Sequence, residues 1–310
     1  MDTRTPIDRQ ATALMILLCA IWGLQQVAIK STSVDIAPIM QIAIRSGLAA
    51  AMVGVLVLFR FDEVKRHFGS WRAGMVVGVL FASEFVAVSE GLRFTSAAHM
   101  VIFLYTAPIF AAIGLHWRFP SERLTPLQWA GIFVAFSGVV LAFYAPSAAG
   151  ASVNDQRLGD ALGLLGAMFW GATTLAVRCT RLAETPASLT LFYQLLGAFI
   201  ILLCVAFLSR QTTLHFTPMA IASLTFQTLA VSFFSFLTWF WLLGRYLGSR
   251  LGVLSFLTPL FGVALGVWLL DETLEVSFIL GSALVLTGIV MVSGHDVLRQ
   301  VMSKRASTKE

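Results

Sequence analysis

The chain has 310 residues, of which 58 % are hydrophobic and 12 % charged, with a mean hydropathy of +0.84 and a net charge of +5. Soluble domains carry about 25 % charged residues, so this composition excludes an ordinary soluble enzyme or nucleic-acid-binding domain. It predicts an all-α polytopic membrane protein embedded in a lipid bilayer.

In chain order, Arg4 and Arg9 precede an apolar run at 12–29 with no small-residue cleavage signal after it, which predicts an uncleaved first helix. Further apolar stretches follow at 38–59, 73–92, 96–117, 126–144, 160–177, 188–208, 219–243, 251–270 and 276–293. Each is long enough for a helix crossing a hydrocarbon layer of about 30 Å at about 1.5 Å per residue. The expectation is ten transmembrane helices in a single membrane domain over 1–293. A first repeat spans about 12–144, a Pro/Ala/Gly/Ser linker 145–157, and a second repeat about 158–293. A basic tail follows at 294–310. Cys19, Cys179 and Cys204 lie in or beside apolar spans and read as reduced packing residues.

The positive charge is unevenly placed. One side of the predicted bundle holds both tails with Arg60, Lys65, Arg66, Arg72, Arg118, Arg123, Arg178, Arg181, Arg245 and Arg250, while the other holds only Lys30, Arg93, Arg157 and Arg210. The positive-inside rule therefore predicts cytoplasmic termini, and it accounts for the net charge without a nucleic-acid partner.

The two halves repeat each other. Residues 95–131 return more loosely at 246–281, aligning Pro108 with Pro259, Glu122 with Glu272, and Gly131 with Gly281. Residues 19–32 return at 167–180, aligning Trp22-Gly23 with Trp170-Gly171 and Lys30 with Arg178, and Gly138 matches Gly288. Five spans per half is an odd number, so the second half enters the membrane upside down. Inverted repeats of this kind suit secondary transporters, with the site near the midplane beside interrupted apolar segments.

These motifs (Trp-Gly in spans one and six, Pro in four and nine, Glu-X-Leu after each, and Gly-X6-Gly in five and ten) resemble the drug/metabolite transporter superfamily, EamA-type, over about residues 12–293. The resemblance implies a ten-helix carrier of the inner membrane, often an exporter of amino acids or other small metabolites. It does not name the substrate.

Trp22, Gln25, Gln26 and Ile29 share one helical face, repeated by Trp170, Thr173, Thr174 and Val177. Such a stripe either lines a substrate cavity or bonds helix to helix. Pro108 and Pro259 each remove a backbone donor and free a carbonyl, which predicts a site wall with Tyr105, Thr106 and Thr258 nearby. Aromatic faces such as Trp22 and Trp170 suit an amphipathic or cationic metabolite. Glu122 and Glu272 read as caps of the following helices, and Glu90, Arg93 and His99 as a cluster at the turn between spans three and four.

Arg45 and Glu84 are the costly residues, each deep in a span at roughly 2.5–3.5 kcal/mol of insertion cost. Both lie roughly 12–14 Å below the same surface, so an ion pair is geometrically allowed, serving either proton coupling or a permanent lock between helices. The matching positions in the second half are Tyr193 beside Gln194, and Ser235. The predicted binding set is thus Trp22, Gln25, Gln26, Tyr105, Pro108, Trp170, Thr173, Thr174, Tyr193 and Pro259, with Arg45 and Glu84 for coupling. No P-loop and no His pair at i, i+4 occurs, so no catalytic, cofactor or metal site is expected. A non-coupled facilitator or channel, and less so an intramembrane enzyme, are the competing functions.

Overall fold

A computed structural model gives the fold, describing residues 8–120, 123–144, 153–246, 251 and 254–307. Glu122 and most of the expected linker lie outside these residues. The spans are α1 (Arg9–Ser31), α2 (Pro38–Phe59), α3 (Trp71–Phe94), α4 in two pieces, α4a (Ala97–Leu104) and α4b (Ala107–Arg118), and α5 (Pro126–Phe143). The second half supplies α6 (Val153–Cys179), α7 (Ala187–Leu208), α8 (218–245), α9 (Leu257–Leu270) and α10 (Val276–Ser307). Among the described residues, eight helices are long and apolar enough to cross a membrane, and Leu257–Leu270 and the Val276–Val292 part of α10 are shorter apolar segments. The protein is all-helical, with five spans in each of two repeats of opposite orientation.

The helix starts follow from local sequence. Asp8 accepts the Ala11 amide at 2.7 Å ahead of α1, and Thr125 forms a capping box with Gln128 ahead of α5. Pro38 and Pro126 stand in first turns, where a missing donor costs nothing. α6 begins at Val153, so the helix already includes the last part of the stretch predicted as linker; Asp155 in its first turn suits the positive end of the helix dipole.

α8 is not a plain helix. Pro218–Thr225 is α-helical, Phe226–Ser235 is π-helical, and Phe236–Arg245 is α-helical again. The widened stretch carries buried Gln227, Thr228, Ser232 and Ser235, and the Gln227 side chain donates to Gln41 of α2 at 2.8 Å. Such polar pairing between helices substitutes for the hydrophobic drive that lipid removes.

Close backbone contact supplies the rest. α5 lies along α10, and a Cβ on Gly138 would meet the Gly281 carbonyl at 2.5 Å. The Gly131/Gly138 and Gly281/Gly288 match in the sequence is therefore one interface, formed by the two repeats across their pseudo-two-fold relation. α2 packs on α7, α3 on α6 and α7, and α1 on α9. The main apolar core lies among α2, α3, α7 and the start of α8, and a second cluster joins α4, α5 and α10.

Candidate functional site

The centre is built by two interrupted helices, one per repeat. In α4 the helix stops at Leu104, the Thr106 hydroxyl donates to the Phe103 carbonyl at 2.7 Å, and α4b restarts with Pro108 in its first turn. The Pro259 helix does the same: Ser255 and Thr258 close a turn before it, through Ser255 N to Leu251 O and Thr258 N to Ser255 O, each 3.0 Å. The sequence predicts a carbonyl freed within a continuous span; here the helix breaks before each proline. The reason is local: Pro108 and Pro259 have no N–H for the Leu104 and Ser255 carbonyls four residues back and their rings crowd those carbonyls, whereas a first-turn proline needs no donor. α4a crosses α9, with Val101 against Gly262 and Ala98 near Gly266. Tyr105 and Cys19 gather at the crossing around the fully buried Thr258 hydroxyl.

Two aromatic pairs stand around it. Tyr105 meets Trp170 edge-on at 5.2 Å, and Trp22 meets Trp239 edge-on at 5.6 Å. The Trp22 indole also donates to Ser235 Oγ at 2.8 Å, which anchors α1 to the end of the π-helical stretch. Gln25 and Gln26 are buried, and Gln26 Oε1 is unpartnered. The Thr173 and Thr174 hydroxyls instead donate back to Phe169 and Trp170 carbonyls of their own helix. Tyr193 fills the seam between α3 and α7 over Gly74 and Gly78. Pro108 is half-buried and Pro259 buried.

Arg45 and Glu84 are 1 % and 5 % exposed. They lie within electrostatic reach of each other, yet among the described residues no ion pair joins them. Arg45 sets its guanidinium over the Phe85 ring at 4.7 Å, and Arg45 Nε and Nη1 and Glu84 Oε2 have no hydrogen-bond partner. Burying two ionisable side chains without a direct ion pair is costly.

A polar knot, missed by sequence reasoning, closes one end of the bundle. Lys30 donates to the Leu92 carbonyl and to the Thr95 carbonyl at 2.9 Å. The Thr95 hydroxyl donates to Asp160 at 2.6 Å, and His99 Nδ1 lies 2.9 Å from the same carboxylate, with its ring stacked on Phe278 at 3.8 Å. Asp271 adopts a left-handed turn (φ 52°) that brings Glu272 back across the repeat boundary, where its carboxylate accepts the Ala97 and Ala98 amides at 2.6 and 3.0 Å. Glu272 is thus a cap, of α4a rather than of the helix that follows it. Of the cluster predicted at this turn, Glu90 and Arg93 pair at 2.6 Å on the surface while His99 turns inward.

A model of the EamA-like transporter family matches residues 10–144 and 157–294, one match per repeat. The chain belongs to the EamA-like transporter family. It is a membrane transporter, not a member of an enzyme family, and a transporter implies a small-molecule substrate. Among relatives of this EamA protein, an uncharacterized transporter of Bacillus subtilis (strain 168), YoaV, is 22 % identical over 282 residues, covering 89 % of this chain and 94 % of its own. A protein of Escherichia coli (strain K12) named a probable amino-acid metabolite efflux pump is 28 % identical, covering 91 % and 94 %. A solved crystal structure aligns at a TM-score of 0.65 with 19 % identity, over 92 % of this chain and 96 % of that one, which shows the shared fold.

Proposed function

We propose that this EamA transporter is a secondary carrier that exports a small amphipathic metabolite, an amino acid or a related aromatic compound, by alternating access. The two repeats of one domain rock about the α4–α9 crossing, and substrate binds between the Trp22–Trp239 and Tyr105–Trp170 pairs. Gln25 and Gln26 on one wall and Pro108 and Pro259 at the helix breaks complete the site, while Thr173, Thr174 and Tyr193 shape it from α6 and α7. Export is supported by the printed names of relatives at 26–28 % identity from Escherichia coli and Salmonella typhimurium, both probable amino-acid metabolite efflux pumps. The charge distribution supports an inner-membrane protein with both termini cytoplasmic.

The observation that carries coupling is the unmatched burial of Arg45 and Glu84. Ionisable residues inside a membrane bundle mark ion and proton pathways by default. Glu84 takes up and releases the proton, and Arg45 is the cation whose approach and withdrawal drives that exchange, since a nearby cation and burial act on a carboxylate in opposite senses.

The test is a comparison of metabolites inside and outside cells with and without the protein. The carrier reading expects one compound class to fall inside and rise outside when the protein is present. Metabolite pools unchanged at every level of protein contradict it.

A further inference from the structure

At the end opposite the Asp160 knot, α3 and α6 part. α3 turns to α7, with Tyr193 over Gly74 and Gly78, while α6 follows α4b, with Gly171 against Phe110 and Ala111. Between their ends lies a cavity of about 580 Å³, walled by Gly69, Ser70, Trp71, Arg72 and Ala73 of the first repeat and by Cys179, Thr180 and Arg181 of the second.

The charged side chains in this wall are both cations. Arg72 lies over the half-exposed ring of Trp71 at 5.4 Å. Arg181 reaches across to Gly69, where a Cβ would stand 3.6 Å from its Nη1. Asp62 is engaged by Lys65 at 2.6 Å, and Glu184, further along the short helical turn of Arg181, is not part of the wall. Among the described residues neither Arg72 nor Arg181 forms an ion pair. Two like charges facing one cavity repel each other, and an anion between them reverses the sign of that interaction. Guanidinium forks meet tetrahedral oxyanions two bonds at a time. The volume falls within the range of about 300–1,000 Å³ found for small-molecule sites.

We propose that this cavity binds a phosphate group, carried either by an anionic lipid headgroup or by a soluble phosphate ester, and that the bound group fastens the 60–71 connection of the first repeat to the 179–185 connection of the second. The site is separate from the aromatic pairs and from Glu84, and it does not depend on what the carrier moves.

Cys179, in the wall, reports occupancy. Cys19 is fully buried, and Cys204, exposed on α7, is removed as Cys204→Ala in the full-length protein. The rate at which a water-soluble maleimide labels Cys179 is measured in detergent against glycerol 3-phosphate, and in nanodiscs of phosphatidylcholine with or without phosphatidylglycerol. With phosphate at ten times its Kd, mass action predicts labelling slowed about tenfold, with the effect lost in Arg72→Gln/Arg181→Gln. Slowing by phosphatidylglycerol alone assigns the site to lipid, and slowing by both assigns it to phosphate from either source. Unslowed labelling in both arms overturns the proposal, as does slowing that survives in the double variant. The arms with intact arginines decide the matter even where the double variant fails to fold.

Discussion

The Asp160 carboxylate at the head of the second repeat receives the Thr95 hydroxyl of the first at 2.6 Å, and Asp160 is completely buried. This bond ties α6 to the turn between α3 and α4 where Gly91 and Gly159 bring the two backbones together. Asp160→Ala leaves both Thr95 and His99 without their partner, at a cost of roughly 1–3 kcal/mol for each buried unsatisfied group. Thermal unfolding in detergent should show the loss, with Asp160→Asn, which keeps an acceptor for Thr95, milder. Equal melting of Asp160→Ala and the unaltered protein contradicts a closing role for the knot.

Trp22 and Ser235 give a second test. Removing either side of their 2.8 Å bond, as Trp22→Phe or Ser235→Ala, should cost about 0.5–1.5 kcal/mol, and the double variant no more than the larger single loss. Both should alter which compounds compete for transport, because the proposed site takes Trp22 as one aromatic wall. Additive losses in the double-mutant cycle would show that the bond does not couple α1 to α8.

At Gly138 the α5–α10 contact leaves no room for a side chain. Gly138→Val forces a branched side chain onto the Gly281 backbone, and overpacking of this kind costs about 1–3 kcal/mol or more. The expected result is little monodisperse protein on gel filtration. Phe133→Ala, on the exposed face of the same helix, should leave the yield unchanged.

At the other end of α1, Tyr246 donates to Asp8 at 2.8 Å. The Ala11 amide and then the Tyr246 hydroxyl hold the Asp8 carboxyl below its usual value of 3.8, and Asp8 holds the Tyr246 phenol above its usual 10.0. A depressed acid contributes stability above its unfolded pKa and loses it as pH falls through the folded one. A raised phenol contributes below its unfolded pKa and loses it as pH rises through the folded one. The contact should therefore persist from about pH 5 to 9. Limited proteolysis of the N-terminal segment should be flat across that range and faster at every pH in Asp8→Ala.

Much of the fold is legible in the sequence because lipid imposes long apolar runs that no internal contact can disguise. The repeat is legible because Pro108/Pro259 and the glycine pairs recur in register. The site is only partly so. The sequence puts Trp22 and Trp170 on matched helical faces and Tyr105 near Pro108, but the pairs Trp22–Trp239 and Tyr105–Trp170 cross between the repeats, and no local spacing announces which rings will meet. Lys30 and Asp160 sit near span ends, where a charge reads as interfacial; Lys30 stays half-buried on carbonyls of its own repeat, and Asp160 is buried where it meets Thr95 of the other. The π-helical stretch of α8 has no proline or glycine to mark it, and Thr173 and Thr174 fit a cavity stripe equally well when their hydroxyls are spent on their own helix.

The proposed coupling role of Glu84 is tested by Glu84→Gln in purified protein reconstituted into vesicles with its substrate. Glu84→Gln keeps the shape of the side chain and removes the exchangeable charge. The expected result is folded protein that still exchanges substrate across the membrane, with a rate that no longer varies with pH and no accumulation under an imposed proton gradient. Normal proton-driven accumulation by Glu84→Gln would contradict it.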